Sequence, residues 1–400
     1  MRLFGWPFPV TPVQALQVID KTERGTELCA KGAAPLLSHM STANVARDMD
    51  LLRRAVGDEK LTYVGYSYGT HLGEVYANLF PDRVRALVLD AVLNPVEWTT
   101  GKGPASSFVP FTYRIGSFRG AQRALESFLA ACADDKRCAF REPGADAKEL
   151  HAKYDNLLDR LRQEPAEITT PEGQKVTVTY QDAVGLTLSL LYSASASPIL
   201  ADMLQQLYEV TAPAQRRTQA APRVDLPDVA KRPTYAYTGG LEWFFAVGCL
   251  DSVNPDVPYP WLPYARKADR QGRGFGSLWT YQSLPCATWP FHDPDRYTGP
   301  WDRDTANPIL LIGNSQGDPA TPYPDARATA KLLADARLLT LDSFGHTAFG
   351  GISSCIDHYV NRYLIEGKLP PKGTVCQPDR EPFDPVPSPL SGVPRGQPSQ

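Results

Sequence analysis

A single pentapeptide constrains the fold of this chain more than any other feature of its sequence. Gly65-Tyr66-Ser67-Tyr68-Gly69 has the pattern G-x-S-x-G and stands between the apolar run Leu61–Val64 and a helical pattern that begins at Thr70. A serine on such a sharp strand-to-helix turn projects its hydroxyl above the sheet, and flanking glycines avoid a collision where strand and helix approach. The motif predicts that Ser67 is a nucleophile; the alternative is a structural Gly-Ser turn. The backbone N–H of Tyr68, at the positive end of the following helix, is the predicted oxyanion donor.

A nucleophilic serine needs a base, and His346 is the predicted one. It lies in the glycine-containing loop Ser343–Thr347, directly after the apolar run Arg337–Leu341. Functional groups gather at the carboxyl ends of parallel strands, and this loop has that position. The alternatives are His358, which falls inside a later helix, and His71, which the helix after the serine carries away from the hydroxyl.

Asp318 is the predicted acid that holds the histidine in one tautomer. It lies in a Gly/Pro-rich loop at the carboxyl end of the apolar run Ile309–Ile312, and an acid between serine and histidine is the chain order that accompanies this serine turn. The rivals are Asp325, on the next predicted helix, and Asp342, close to a strand end. An ordinary turn aspartate is the remaining alternative for Asp318.

Short strands and helices alternate on both sides of a long irregular stretch. Apolar residues at helical spacing and short apolar runs together predict βαβ units, hence an α/β fold with a mostly parallel sheet and helices on both faces. The predicted strands are Leu61–Val64, Val84–Leu89, Ile309–Ile312 and Arg337–Leu341. The predicted helices beside them are Ala43–Val56, with Ser41 or Thr42 as its N-cap, Thr70–Phe80, Pro324–Ala334 and Cys355–Leu364.

A largely helical insertion interrupts this α/β pattern. The alternation stops near Pro95 and resumes after Thr305, which divides the chain into a first core segment (1–95), a cap (96–305), a second core segment (306–376) and a Pro-rich tail (377–400). The low hydrophobicity of the tail predicts disorder. Within the cap the sequence predicts a hairpin of residues 167–170 and 175–179 around Pro171-Glu172-Gly173, followed by helices over 183–192 and 199–210.

Composition and charge exclude several classes of function. The 41 basic and 44 acidic residues leave a net charge of −3, which gives no reason to expect nucleic acid as a partner. No apolar run reaches the roughly 18 residues of a transmembrane helix. The seven cysteines form no CxxC pair and no histidine stands at zinc-ligand spacing, so neither a metal nor a cofactor is expected. Disulfides in an exported protein are the better interpretation of the cysteines, with scattered buried thiols as the alternative.

Several segments carry a resemblance to a known family. They are GYSYGTHLGEVYANLFPDRVRALVLDAV from Gly65, GNSQGDPATP from Gly313, FGHTAFG from Phe344, and Cys355–Cys376. Over most of residues 29–380 the chain resembles the secreted tripeptidyl aminopeptidases of actinobacteria, which are close to the proline iminopeptidases. The resemblance implies an α/β-hydrolase fold with a cap over the site and an exopeptidase that cleaves peptides with a free α-amino group. It gives the triad roles to Ser67, Asp318 and His346.

Two further predictions concern ligands for the substrate amine and the pairing of the cysteines. A desolvated α-ammonium group requires a carboxylate, and the aromatic cap segment Gly239–Asp251 offers Glu242 and Asp251 as substrate-amine ligands. Solvated surface carboxylates are the alternative for both. The predicted disulfides are Cys132–Cys138, from proximity, and Cys249–Cys286 and Cys355–Cys376, from proximity and resemblance; sequence alone does not fix the pairing.

The first part of the chain departs from the family. Residues 1–66 contain no Gly/Pro-rich loop of the Asn-Pro-Gly-Gly-Pro-Gly type, which supplies the second oxyanion donor, and the strands before that loop are missing too. Residues 1–12 lack the features of a signal peptide, and Cys29 is the odd cysteine. We therefore expect a shortened form of a longer secreted or cell-envelope enzyme, poorly soluble and nearly inactive as written.

The sequence leaves three functions open. A serine exopeptidase with peptides as substrates is the first. An esterase or lipase-like hydrolase is the second, because acyl transfer from esters uses the same triad. An inactive truncated product is the third.

Overall fold

A parallel sheet forms the centre of the protein. The structure is a computed structural model that describes residues 7–169, 174–213 and 242–385. The strands of the sheet are β1 (Leu61–Tyr66), β2 (Val84–Asp90), β5 (Ile309–Asn314), β6 (Ala336–Leu341) and β7 (Val375–Cys376). They lie in the order β1-β2-β5-β6-β7, and each neighbouring pair is parallel. The predicted α/β class with a mostly parallel sheet is therefore confirmed.

Helices cover both faces of this sheet. Val88 and its neighbours on one face pack against α14 (Ser354–Glu366), whereas Leu89, the next residue, belongs to the face that packs against α3 (Tyr68–Leu79) and α13 (Tyr323–Leu332). Strands β2 and β5 are buried almost throughout, as expected for strands covered on two sides. The carboxyl ends of β1, β2, β5 and β6 consequently meet at one edge of the sheet, where a site can form.

Two helices precede the sheet, and only the second is predicted by the sequence. Helix α2 (Thr42–Ala55) begins after Ser41, whose side chain accepts a hydrogen bond from the N–H of Asn44, so Ser41 is the N-cap. Helix α1 (Pro12–Leu37) packs against residues of the cap, with Ile19 in a cluster around Trp261. Residues 12–37 thus lie with the cap and not with the first core segment. Neither α1 nor any other described helix is long and apolar enough to cross a bilayer.

The cap is mostly helical, as predicted. Its hairpin pairs β3 (Ala166–Thr169) with β4 (Lys175–Val178) in antiparallel register, and the predicted turn at 171–173 lies outside the described residues. Its helices are α4 (Pro95–Trp98), α5 (Phe111–Ile115), α6 (Ser117–Asp134), α7 (Ala147–Gln163), α8 (Tyr180–Leu191), α9 (Ser197–Val210), α10 (Glu242–Asp251), α11 (Trp261–Asp269) and α12 (Phe275–Tyr281). Helices α6 to α9, the hairpin and α12 share one large apolar core, separate from the clusters on the sheet.

Disulfide bonds and one aromatic contact connect segments of the cap, the second core segment and the tail. All three predicted disulfides are present: Cys132–Cys138, Cys249–Cys286 and Cys355–Cys376. The predicted disorder of the tail does not hold for residues 377–385, because Phe383 is buried against Phe128 at a ring distance of 6.2 Å. The rest of the tail, 386–400, lies outside the described residues.

Candidate active site

The backbone at Ser67 forms the strained turn that a nucleophilic serine requires. Ser67 has φ 56° and ψ −124° and lies between the end of β1 and the first residue of α3. Its N–H donates to the carbonyl oxygen of Asp90 at 3.0 Å, and its own carbonyl accepts from Thr70 Oγ1 at 2.7 Å. A Cβ at Gly65 would lie 2.3 Å from the carbonyl oxygen of Gly69, so glycine is required there. The motif therefore has the tight geometry that the sequence predicts.

His346 and Asp318 form a buried pair on neighbouring loops. Nδ1 of His346 lies 2.9 Å and 3.0 Å from the two carboxylate oxygens of Asp318, to which it donates. Asp318 is 1% exposed and also accepts hydrogen bonds from Ala320 N–H, Thr321 N–H and Thr321 Oγ1. These additional donors fix the carboxylate, which in turn fixes the imidazole ring with Nε2 left for chemistry.

The surroundings of His346 favour its protonated form. Burial lowers the pKa of His346, but the negative charge and hydrogen bond of Asp318, together with the charge of Asp90, raise it further than burial lowers it. The pKa of His346 consequently lies above the ordinary histidine value. An imidazole of this kind takes up a proton readily, which is what a base must do during attack by a serine hydroxyl.

Ser67 and His346 line one cavity between the sheet and the cap. Its volume is about 240 Å³. Six aromatic side chains contribute to its wall: Tyr68, Trp98, Tyr192, Trp243, Phe244 and Trp279. Trp243 is 49% exposed and therefore lies at the rim. Among the described side chains, no carboxylate lines this cavity, which suits it to uncharged, apolar groups.

Asp251, one of the two predicted amine ligands, does not line the cavity. It is 2% exposed, and its carboxylate accepts from Thr42 N–H at 2.8 Å, from Thr42 Oγ1 at 2.5 Å and from Trp98 Nε1 at 3.1 Å. Burial raises the pKa of Asp251 to about 6, against the lowering effect of these donors. The prediction that Asp251 binds a substrate amine is therefore corrected: its oxygens are occupied, and it holds Trp98 in the cavity wall.

Glu242, the other predicted amine ligand, begins α10 and directly precedes Trp243 at the cavity rim. Its side chain lies outside the described part of the structure. Its role as an amine ligand therefore stays a prediction.

The alternative histidines and aspartates do not line the cavity. His358 is exposed on α14, as its helical position predicts. His71 is fully buried in α3 beside the Trp98 ring, and burial lowers its pKa to about 3, so it stays neutral. Asp325 is on α13, and Asp342 accepts hydrogen bonds from Ser315 and Gln316.

The structure adds a contact residue that the sequence does not predict. Tyr192, at the end of α8 in the cap, accepts the N–H of His346 with its carbonyl oxygen at 2.8 Å, and the two rings lie 5.0 Å apart. No motif marks this tyrosine, because its contact with His346 exists only once the cap folds over the sheet. Thr321, which donates to Asp318, is not predicted either, although its place three residues after Asp318 is a local signal.

Comparison with known proteins agrees with this geometry. A family model described as alpha/beta hydrolase fold matches residues 20–128, and one described as TAP-like protein matches residues 271–376. The chain is 31% identical over 357 residues to Serine protease Hip1 of Mycobacterium tuberculosis (strain ATCC 25618 / H37Rv), covering 85% of this chain and 62% of that protein. It is 29% identical over 371 residues to Tripeptidyl aminopeptidase of Streptomyces lividans, covering 89% and 62%.

A third relative has a different name. Carboxylesterase B of Mycobacterium tuberculosis (strain ATCC 25618 / H37Rv) is 33% identical over 349 residues, covering 86% of this chain and 61% of that protein. The chain thus spans 61–62% of the length of these three relatives.

Proposed function

We propose that this chain, which has an α/β-hydrolase fold, is a serine peptidase in which Ser67, His346 and Asp318 form the catalytic triad. The observation that supports the proposal most directly is the buried His346–Asp318 pair, which faces the same cavity as a serine on a strained turn. The relatives named serine protease and tripeptidyl aminopeptidase favour peptides as the substrates. Three disulfides favour a site of action in an oxidising compartment outside the cytoplasm.

The proposed mechanism uses the same triad in acylation and in deacylation. Nε2 of His346 takes the hydroxyl proton as Ser67 Oγ attacks the peptide carbonyl carbon, and Asp318 stabilises the resulting imidazolium. The N–H of Tyr68, at the N-terminus of α3, donates to the oxyanion. His346 then gives its proton to the leaving amine, the C–N bond breaks, and an acyl-enzyme remains. Water, deprotonated by His346, then attacks the acyl carbon. The ester C–O bond to Ser67 breaks, the acid product leaves, and His346 returns its proton to Ser67 Oγ.

We propose further that the substrates carry a free N-terminus. The resemblance to tripeptidyl aminopeptidases supports this preference. Glu242 also supports it, because it directly precedes Trp243, a residue of the cavity rim, in the chain. The aromatic wall suits the apolar part of a peptide, whereas a desolvated ammonium group needs a partner such as Glu242.

An assay with matched substrates tests this proposal. We expect the protein to hydrolyse a tripeptidyl anilide with a free amine at least roughly 10-fold faster than its N-acetylated copy, because only the free amine gains a charged partner. With both substrates made as para-nitroanilides, the release of coloured para-nitroaniline gives kcat/KM for each. Equal rates for the two anilides would contradict the preference for a free N-terminus. No turnover of both anilides would contradict the proposal that the protein is a peptidase.

Esterase activity is the second candidate function. The relative named Carboxylesterase B and the apolar cavity wall without a described carboxylate favour it. The same assay with short-chain aryl esters separates the candidates: turnover of esters alone, with no cleavage of either anilide, would establish the esterase in place of the peptidase.

Two carboxyl residues of α10 are expected to respond differently to substitution. Glu242→Gln should weaken hydrolysis of the free-amine anilide by roughly 10- to 100-fold, the loss of one charged hydrogen bond, and leave the acetylated anilide unchanged. Asp251→Asn should lower both rates by a similar factor, because an amide cannot accept all the bonds from Thr42 and Trp98. Glu209→Gln, at an exposed position of α9, is the matched control. Equal losses for both substrates in Glu242→Gln would remove that residue from amine binding.

A further inference from the structure

One buried aspartate, Asp90, contacts both the turn of the nucleophile and the loop of the base. It is the last residue of β2 and is 0% exposed. Its carbonyl oxygen accepts the N–H of Ser67 at 3.0 Å. Its side-chain Oδ2 accepts the N–H groups of Ala348 and Phe349, both at 2.8 Å, just after the base in sequence. A single residue therefore joins two loops that come from distant parts of the chain.

The position of Asp90 in the sheet explains why it can reach both. It is paired with Tyr66 of β1 on one side and with Ile312 of β5 on the other, so it ends the strand between those that lead to Ser67 and to Asp318. Its side chain lies under the loop that follows β6. Asp90 therefore contacts the turn of Ser67 and the loop that follows His346.

Strained backbone is concentrated around the same contacts. Within the described ranges three non-glycine residues have a positive φ: Ser67 at 56°, Ala91 at 63° and Thr347 at 71°. Ser67 donates to Asp90, Ala91 follows it, and Thr347 precedes Ala348, whose N–H the Asp90 carboxylate accepts. Strained conformations persist only where surrounding contacts over-determine them. The bonds of Asp90 are contacts of that kind.

Asp90 also brings charge to the site. Burial raises the pKa of Asp90 to about 6, although the N–H groups of Phe349 and Ala348 lower it. Its Oδ1 accepts no hydrogen bond from the described residues. The carboxyl group is therefore ionised above about pH 6 and protonated below it, and its negative charge adds to the increase in the pKa of His346.

Other titratable groups lie around Asp90 and His346 on the surrounding elements. Asp318 and His346 face Asp90 from the loops after β5 and β6, Tyr66 faces it from β1, and Asp357 of α14 faces Tyr66. Tyr192 faces His346 from the cap. Burial raises the pKa of both tyrosines, which keeps them neutral, and Asp318 and Asp90 are the two carboxyl groups whose charges raise the pKa of His346.

We propose that Asp90 is a positioning residue of the triad, an inference that rests on the function proposed above. Its two hydrogen bonds hold the base loop against the nucleophile turn, and its charge stabilises the imidazolium that forms during attack. It touches neither substrate nor the reacting atoms. Its folded-state pKa is raised above the unfolded value, so its ionised form costs stability as pH rises through about 6.

Two substitutions separate the hydrogen bonds from the charge. In Asp90→Asn the amide oxygen still accepts both N–H groups while the charge is gone, so the acid limb of the kcat/KM profile should shift to lower pH by up to about one unit, and the plateau kcat should fall roughly 10-fold. In Asp90→Ala both N–H groups lose their acceptor, so kcat should fall roughly 100-fold or more with little change in KM. Thermal unfolding should show that Asp90→Asn is at least as stable as the wild type at pH 8.

The control is Asp269→Asn in the cap, a half-buried carboxylate that accepts the N–H and Oγ of Ser277 at 2.7 Å and 2.6 Å. It should leave both kcat and the acid limb unchanged. A wild type that reacts with a fluorophosphonate at Ser67, together with Asp90 variants that keep its kcat and its acid limb, would overturn the positioning role and leave the triad standing. An unshifted acid limb in Asp90→Asn, with activity lost only in step with thermal stability, would also overturn it. A wild type that is not labelled at Ser67 would instead overturn the proposed function.

Discussion

Ser67→Ala should abolish covalent labelling of this protein by a fluorophosphonate probe and lower peptide hydrolysis by about a millionfold, the size of loss seen when a triad serine is removed. The reason is that no other described residue combines a hydroxyl at a strained strand-to-helix turn with a position in the cavity of the buried His346–Asp318 pair. The side chain of Ser67 makes no capping hydrogen bond to α3, so its removal should change the free energy of unfolding by less than about 0.5 kcal/mol.

Labelling followed by peptide mapping measures the first effect, and thermal unfolding measures the second. Ser189→Ala is the matched control, because Ser189 is exposed on α8 and bonds only to the Gly185 carbonyl of its own helix. It should be labelled at the wild-type rate. Retained labelling in Ser67→Ala would show that a different residue is the nucleophile.

His346→Ala and Asp318→Asn should lower kcat by several powers of ten, with Asp318→Asn near 10,000-fold. Without the imidazole, the serine hydroxyl keeps its proton. With Asn at 318 the charge that supports the imidazolium is lost, and the amide cannot accept from His346 Nδ1 while it also satisfies Thr321 and Ala320. KM should change little, because neither side chain supplies the apolar wall of the cavity.

The pair His346→Ala and His358→Ala distinguishes a catalytic histidine from an exposed one. His358 lies on the surface of α14, so its removal should leave kcat within twofold, on the order of experimental error. Steady-state kinetics on the free-amine anilide measures both variants. A larger loss in His358→Ala than in His346→Ala would contradict the assignment of the base.

Local signals suffice for the residues whose role depends on a single turn. Ser67 is predictable because G-x-S-x-G encodes one backbone geometry, and the structure has that geometry. Asp318 and His346 are predictable because each follows a short apolar run, and parallel strands bring their carboxyl ends to one edge. The disulfide Cys132–Cys138 follows in the same way from proximity in the sequence.

Longer-range contacts are where sequence reasoning stops or errs. Asp251 lies among aromatic residues in the sequence, which predicts a role in binding an amine. In the structure its carboxylate instead accepts hydrogen bonds from Thr42 and Trp98. Helix α1 is another example of such contacts, because its Ile19 packs against Trp261 of the cap. Nothing in its own periodicity identifies the surface against which a helix packs.

The sequence by itself determined the α/β class, the strained serine turn and the loops that carry Asp318 and His346, because these depend on backbone conformation and apolar periodicity within short windows. Only the tertiary structure decided that Asp90 contacts the loop after His346 and that Tyr192 contacts His346 itself. The same is true of the Asp251 carboxylate, which accepts a hydrogen bond from Thr42. The physical reason is that a buried polar side chain must find its hydrogen-bond partners wherever the fold places them. Those partners come from segments far apart in the chain, which no local pattern encodes.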